Sequence, residues 1–359
     1  MTATQDLAIA GSPIDLPDAP HVPGLRFRHY AGPGDHPAMV RVSNAAWEAD
    51  GESRVETVAE IDVAYANLVN CDPYRDVVIA EVDGELAGYS RVSWENQNWG
   101  GRSYDSWGAV DPAWRRRGIG GALLRQNERQ LRAIGAEHDY DGPRWLTSWS
   151  PDGDVGHHVL MEREGYLPVR HFFLMLRPSL DDIPDTPVPE GLEVRPVEPT
   201  QLRELFDADV EAFRDHFGGV DSSDATFRSW ADRPTFDPSI FLVAWDGDEI
   251  AGGVINGIYP EENERLGVRR GFLDSVFTRR AWRRRGLAGA LICRSLVVLR
   301  ERGMTSAGLG VDASNPSKAL KLYRTFGFEE RERSTAFRKP WDPSRGPEWE
   351  ALDQRAEQD

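Results

Sequence analysis

Ala113-Trp114-Arg115-Arg116-Arg117-Gly118 recurs as Ala281-Trp282-Arg283-Arg284-Arg285-Gly286. The likeness runs on from Gly121-Ala122-Leu123 to Gly289-Ala290-Leu291. Upstream, Val82-Asp83-Gly84 and Ala87-Gly88 match Trp245-Asp246-Gly247 and Ala251-Gly252. Gly24-Leu25-Arg26-Phe27-Arg28 resembles Gly191-Leu192-Glu193-Val194-Arg195, and Glu164-Gly165-Tyr166 resembles Phe326-Gly327-Phe328. Blocks repeated once, in one order and at long spacing, signify a duplicated domain rather than a solenoid. The 359 residues suit two domains.

The second copy shows the expected layout. Leu192 to Val197 alternates as a half-buried strand, and Thr200 offers an N-cap to a helix marked by Leu202, Leu205, Val210 and Phe213. Ile240 to Trp245 and Ile250 to Ile258 flank the turn pair Asp246-Gly247 as a hairpin. Phe272 to Phe277 reads as a strand, and Gly286 opens a long helix that Gly303 closes. Ser306 to Val311 is a strand, Pro316 to Phe326 a helix, and Ser334 to Arg338 a last strand. The fold class is therefore α/β, a mixed sheet flanked by helices, present twice. Expected boundaries are a tail over 1–23, a first domain over 24–178, a proline-rich linker over 179–190, a second domain over 191–340, and a polar tail over 341–359. The stretch Met1 to Pro20 lacks a basic-then-apolar signal pattern and is expected to be a mobile tail.

The 40% hydrophobic content supports buried cores, and no apolar run reaches the ~18 residues of a membrane span. Cys71 and Cys293 fall in different copies, which fits a reducing cytoplasm rather than a disulfide framework. A net charge of -17 argues against nucleic acid as a partner. It fits a cationic acceptor, and more readily a plain solubility role. His157-His158 lacks companion ligands at a metal spacing, so no metal is expected.

Each arginine triplet lies between an expected strand and helix. Free N–H groups and a positive dipole end make such a helix start an anion site, and small residues permit close approach. No Gly-Lys-Ser/Thr follows, and the turn does not come after a first strand, so two familiar nucleotide loops fit worse. The competing reading is a solvated arginine turn with glycine for packing.

Arg-x-x-Gly-x-Gly/Ala between strand and helix resembles the acetyl-coenzyme A signature of the GNAT N-acetyltransferase superfamily. Asn315-Pro316-Ser317-Lys318-Ala319, Leu322-Tyr323 and Phe326-Gly327-Phe328 resemble that superfamily's later motif. The duplicated layout is similar to its tandem, mycothiol synthase-like branch, without a motif that fixes that identity. The resemblance implies two GNAT-like domains with acetyl-coenzyme A as cosubstrate and a primary amine, small or peptidic, as acceptor. It implies that Arg283, Arg284, Arg285, Gly286, Leu287, Ala288 and Gly289 cradle the pyrophosphate. In the first copy Arg116, Arg117, Gly118, Ile119, Gly120 and Gly121 match. It implies that Val276, Phe277 and Thr278 pair with the pantetheine arm, as would Ala109 and Val110 in the first copy. Asn315 would contact the coenzyme and Tyr323 would protonate the departing thiolate.

The first copy has Met161 where the second has Tyr323, and it lacks the Asn-Pro pair, so catalysis is expected only in the second. The superfamily's strand glutamate is replaced by Phe272 and Tyr104. Asp274 is the expected base, through a water, with Glu211 and His216 as alternatives; a surface or capping role competes for each. A non-catalytic acyl-coenzyme A sensor or assembly module is the other functional class. The sequence leaves the acceptor and the oligomeric state open.

Overall fold

The computed structural model describes residues 9–219, 221–314, 319–350, 352 and 353. The strands are β1 Pro13–Ile14, β2 Leu25–His29, β3 Val77–Val82, β4 Glu85–Asn96, β5 Arg102–Val110, β6 Arg144–Pro151, β7 Leu167–Arg177, β8 Glu193–Arg195, β9 Leu242–Asp246, β10 Glu249–Ile258, β11 Arg270–Thr278, β12 Ser306–Asp312 and β13 Glu329–Pro340. The helices are α1 His36–Ala49, α2 Val58–Ala66, α3 Pro73–Asp76, α4 Ile119–Ala136, α5 Val155–Arg163, α6 Leu202–Ala212, α7 Asp224–Ala231, α8 Pro260–Leu266, α9 Leu287–Glu301 and α10 Ala319–Thr325.

Two compact units form, Met1–Val169 with Ser334–Asp359, and Arg170–Arg333. They do not coincide with the two sequence copies. In the first unit the strand order is β1-β2-β3-β4-β5-β6-β13, antiparallel except for the parallel pair β5–β6. In the second it is β8-β9-β10-β11-β12-β7, antiparallel except for β11–β12. Strand β7 ends the first copy yet pairs with β12, through Ala307↔Arg177 to Asp312↔Phe172. The end of β13 belongs to the second copy yet pairs with β6, through Ser334↔Pro151 to Pro340↔Trp145. The expected boundaries at 178 and 191 are corrected accordingly. Periodicity identifies a strand but not the sheet edge it joins.

Each sheet carries a long helix on one face and shorter helices on the other. Helix α9 buries Leu287, Leu291, Leu296 and Leu299 against Val254, Leu273 and Leu309. Each such side chain contributes ~1.5–3 kcal/mol by leaving water. Helix α6 covers the opposite face, where Leu205 and Ala208 meet Val243, Ile255 and Phe277. In the first unit α1 takes that side, with Met39 and Val42 against Ile79 and Tyr89. The opposite face packs Ile119, Leu123, Leu124 and Leu131 of α4.

The mobile tail expected over Met1 to Pro20 is corrected where the structure describes it. Pro13 and Ile14 pair with Arg28 and Phe27, and Leu16 is buried. The sequence carried a signal for this. Leu16-Pro17-Asp18-Ala19-Pro20 is echoed by Ile183-Pro184-Asp185-Thr186-Pro187 in the linker, and Ile183 also packs on the core.

Candidate functional site

Both arginine turns sit between strand and long helix with the same backbone. Arg284 has φ 62° and Gly286 φ 88°, and Arg116 and Gly118 have the same two values. Glycine meets such an angle without the penalty of a Cβ. The first helical bonds are Ala290 N–H to Gly286 C=O and Ala122 N–H to Gly118 C=O. The N–H groups of Leu287, Ala288 and Gly289 therefore have no partner within the helix. Left-handed residues on either side of Arg285 turn backbone N–H groups toward a common concavity. An anion such as a pyrophosphate fits this donor set.

The arginines divide the work. Arg283 donates to the Thr278 carbonyl at 3.1 Å and the Ala212 carbonyl at 3.0 Å, and pairs with Asp215 at 2.5 Å. Its guanidinium ties strand, turn and acceptor-side helix together. Arg115 repeats the arrangement with the Val110 and Ala46 carbonyls and Asp50. Arg284 and Arg116 are exposed. Arg285 donates to the Glu190 carbonyl, and Arg117 lies 4.6 Å from the Trp114 ring centre.

Ahead of the second turn the sheet divides. Strands β11 and β12 pair only at Arg270↔Ser306, Gly271↔Ala307 and Phe272↔Gly308. Among the described residues, the β12-facing edge of β11 has no strand beside it from Leu273 to Thr278, which places Val276, Phe277 and Thr278 on an open edge. An amide-bearing arm can add there as a strand would. In the first unit β5 and β6 stay paired to Ser106↔Ser148, leaving Trp107 to Val110 and thus Ala109 and Val110 on the open edge.

Strand β11 also bulges. Its pairing with β10 steps from Ile255↔Ser275 to Asn256↔Leu273, so Asp274 has no partner residue. Such an extra residue re-aims side chains and frees backbone groups. Strands β4 and β5 pair without a shift. The bulge puts Phe272, Asp274 and Ser275 on one face. Asp274 accepts from the Tyr259 hydroxyl at 2.6 Å, and Ser275 donates to Asp209 at 2.5 Å. Gly257 makes room, since a Cβ there would stand 2.5 Å from the Asp274 carboxylate. Burial raises the Asp274 pKa and pushes Asp209 up to about 6. Tyr259 and Asp209 were not singled out in the sequence; the apolar period of α6 hides a half-buried acid. Glu211 pairs with Arg279 at 2.8 Å, and burial lowers the His216 pKa.

Tyr323 enters from the other face. It joins the core cluster that holds Leu273 and Val276 of β11 and Leu309 and Val311 of β12, the two diverging strands. Burial pushes its pKa up to about 12, so the phenol keeps its proton at neutral pH. In the first unit Met161 is fully buried beside Leu124 and Leu146. Asn315 lies outside the described residues.

The acetyltransferase (GNAT) family description matches residues 40–140 and 202–328. The chain belongs to the GNAT family. It is an N-acetyltransferase built from tandem GNAT regions. It is 28% identical over 311 residues to a mycothiol acetyltransferase of Geodermatophilus obscurus, covering 84% of this chain and 93% of that one. It is 30% identical over 295 residues to one of Salinispora arenicola, covering 81% and 88%. A GCN5-related N-acetyltransferase from Sphaerobacter thermophilus superposes with TM-score 0.66 at 28% identity, covering 91% and 97%. A tandem GNAT protein from the clavulanic acid biosynthesis pathway shares the fold, with TM-score 0.60 at 15% identity over 89% and 99%.

Proposed function

We propose that the second copy transfers an acetyl group from acetyl-coenzyme A to the primary amine of a small molecule. The observation that carries this reading is the open edge Leu273–Thr278, which leads into the donor-rich turn at Gly286. The coenzyme's pyrophosphate would rest on the N–H groups of Leu287, Ala288 and Gly289, with its arm along Val276, Phe277 and Thr278. The amine nitrogen attacks the thioester carbonyl carbon. A backbone N–H of the bulged strand stabilises the oxyanion. The carbon–sulfur bond breaks, Tyr323 gives its proton to the sulfur, and Asp274 accepts the proton leaving nitrogen, directly or through a water. The raised pKa values suit both roles: Tyr323 stays protonated, and Asp274 has more affinity for a proton than an ordinary carboxylate.

Relatives named for mycothiol favour a small-molecule amine over a peptide as acceptor. Thiol release from acetyl-coenzyme A with a panel of small amines and peptides tests the reading. Release with at least one small amine is expected. Tight coenzyme binding without release on any amine would favour the sensor reading instead.

A further inference from the structure

We infer that the chain has one acyl-coenzyme slot rather than two, because the first copy fills its own slot with side chains and an N-terminal strap. This rests on the second copy being the coenzyme site. Three independent features of the first unit carry it.

The first is depth. The last parallel pair precedes Gly118 by twelve residues in the first unit and precedes Gly286 by fourteen in the second. One of those two residues is the bulged Asp274, so the first opening is shorter by one ladder step, about 3.3 Å at the rise of a strand. An arm lying in the first opening would stop that much nearer the turn.

The second is a plug at the point of divergence. Ser148, the last residue of β6 paired with β5, donates its hydroxyl to the Ser106 carbonyl at 3.1 Å. The His157 ring nitrogen Nε2 lies 3.2 Å from that hydroxyl oxygen. His157 stands four residues before Met161, as Ala319 stands four before Tyr323. An imidazole thus occupies the helix position where the second copy carries a methyl group. Burial lowers the His157 pKa, so the ring packs as a neutral group.

The third is the strap. A Cβ on Gly118 would meet the Pro20 Cβ at 2.9 Å, whereas one on Gly286 meets nothing within 4 Å among the described residues. Buried Leu16 anchors the strap, and Asp18 pairs with Arg129 at 2.5 Å and Arg125 at 3.4 Å. Arg125 and Arg163 lie beside the helix start at Gly121, where they would welcome a phosphate. Glu164 already pairs with both, at 2.8 Å and 3.1 Å. The positive charge of Arg125 and Arg163 is thus answered by the chain's own carboxylates.

Native mass spectrometry and calorimetry of the full chain with coenzyme A test this. One coenzyme per chain is expected in the wild type. Ala288→Glu, which sets a carboxylate at the second helix start, should leave none bound. Ala319→His, which copies the plug into the second slot, should weaken binding about tenfold or more, or ~1.4 kcal/mol. Circular dichroism checks that each variant is folded. Two coenzymes on the wild type, or one remaining on folded Ala288→Glu, would overturn the single slot and leave the catalytic reading standing. One coenzyme bound, with no thiol released on any amine, would do the reverse.

Discussion

The turns at Gly118 and Gly286 share their sequence, their dihedral angles and the anchoring of their first arginine, yet the strands in front of them open to different depths. The shared part is what holds a strand end, a helix start and a neighbouring helix together. It serves the fold in both copies whether or not a ligand arrives. The differing part is the ladder. The bulge at Asp274 and the early parting of β11 from β12 leave a longer open edge than a regular β5 zipped to Ser106. A signature turn reports where a phosphate can rest. Whether a thioester can reach an amine depends on the strand that leads to it.

The largest expected effect separates the copies at their proton donors. Tyr323→Phe removes the phenol and should lower kcat by on the order of 10²–10⁴, with little change in coenzyme affinity. Met161→Tyr adds a phenol to a shallow slot and should leave turnover where it was. Steady-state thiol release reads both. Full activity of Tyr323→Phe would remove the asymmetry.

Much of this was legible in the sequence, for identifiable reasons. Repeated blocks need no structure to be seen, and Gly303, Asp246-Gly247 and the helical stripe of α9 mark their elements through local chemistry. The missing pieces were long-range. The pairing of β7 and β13 depends on which sheet edge is free, which no local pattern encodes. The bulge at Asp274 shows only in register against β10. Arg283 looked like a phosphate ligand because its neighbours suit one, and its partners Asp215 and Ala212 lie some seventy residues away. Met1 to Pro20 looked like a tail because its composition resembles one, although Asp18 matches Asp185.

The next effect tests how the acceptor-side helices are fastened. In the first unit the Ser43 and Tyr89 hydroxyls meet at 2.5 Å; in the second, Ser275 donates to a half-buried acid, Asp209. Neutral hydroxyls give no pH dependence. The Asp209 carboxyl rises from 3.8 to about 6 on folding, so between those values the folded state holds the proton more tightly than the unfolded state. Stability should therefore fall as pH rises from about 4 to 6, by up to ~3 kcal/mol from this group. Asp209→Asn should flatten that fall in a Tm series over pH 4–7. An unchanged slope would mean that Asp209 is solvated.

Smaller again is the contrast between the two anchoring arginines. Arg115→Ala and Arg283→Ala each remove a carboxylate pair and carbonyl contacts, and each should cost ~1–3 kcal/mol in urea unfolding. Only Arg283→Ala should also weaken coenzyme binding, since the turn it steadies is the one proposed to bind. Equal binding losses from both would mean that the first turn carries a coenzyme after all.

The smallest effect concerns the exposed residues held at φ 62°, Arg116 and Arg284. A left-handed arginine costs roughly 1–2 kcal/mol, and glycine relieves that at an entropic cost of about 0.5–1 kcal/mol. Arg116→Gly and Arg284→Gly should therefore leave stability unchanged or raise it, within about 1 kcal/mol. Their effects on coenzyme should differ. Arg284 stands on the turn with open space around its glycine, Arg116 on the turn that Pro20 covers. Arg284→Gly should weaken coenzyme A several-fold at low salt and less at high salt, because the lost attraction is exposed and screened. Arg116→Gly should not move the affinity at either salt. A salt-dependent loss at Arg116 would show that its side chain senses a bound anion, and the strap would then be a lid that opens.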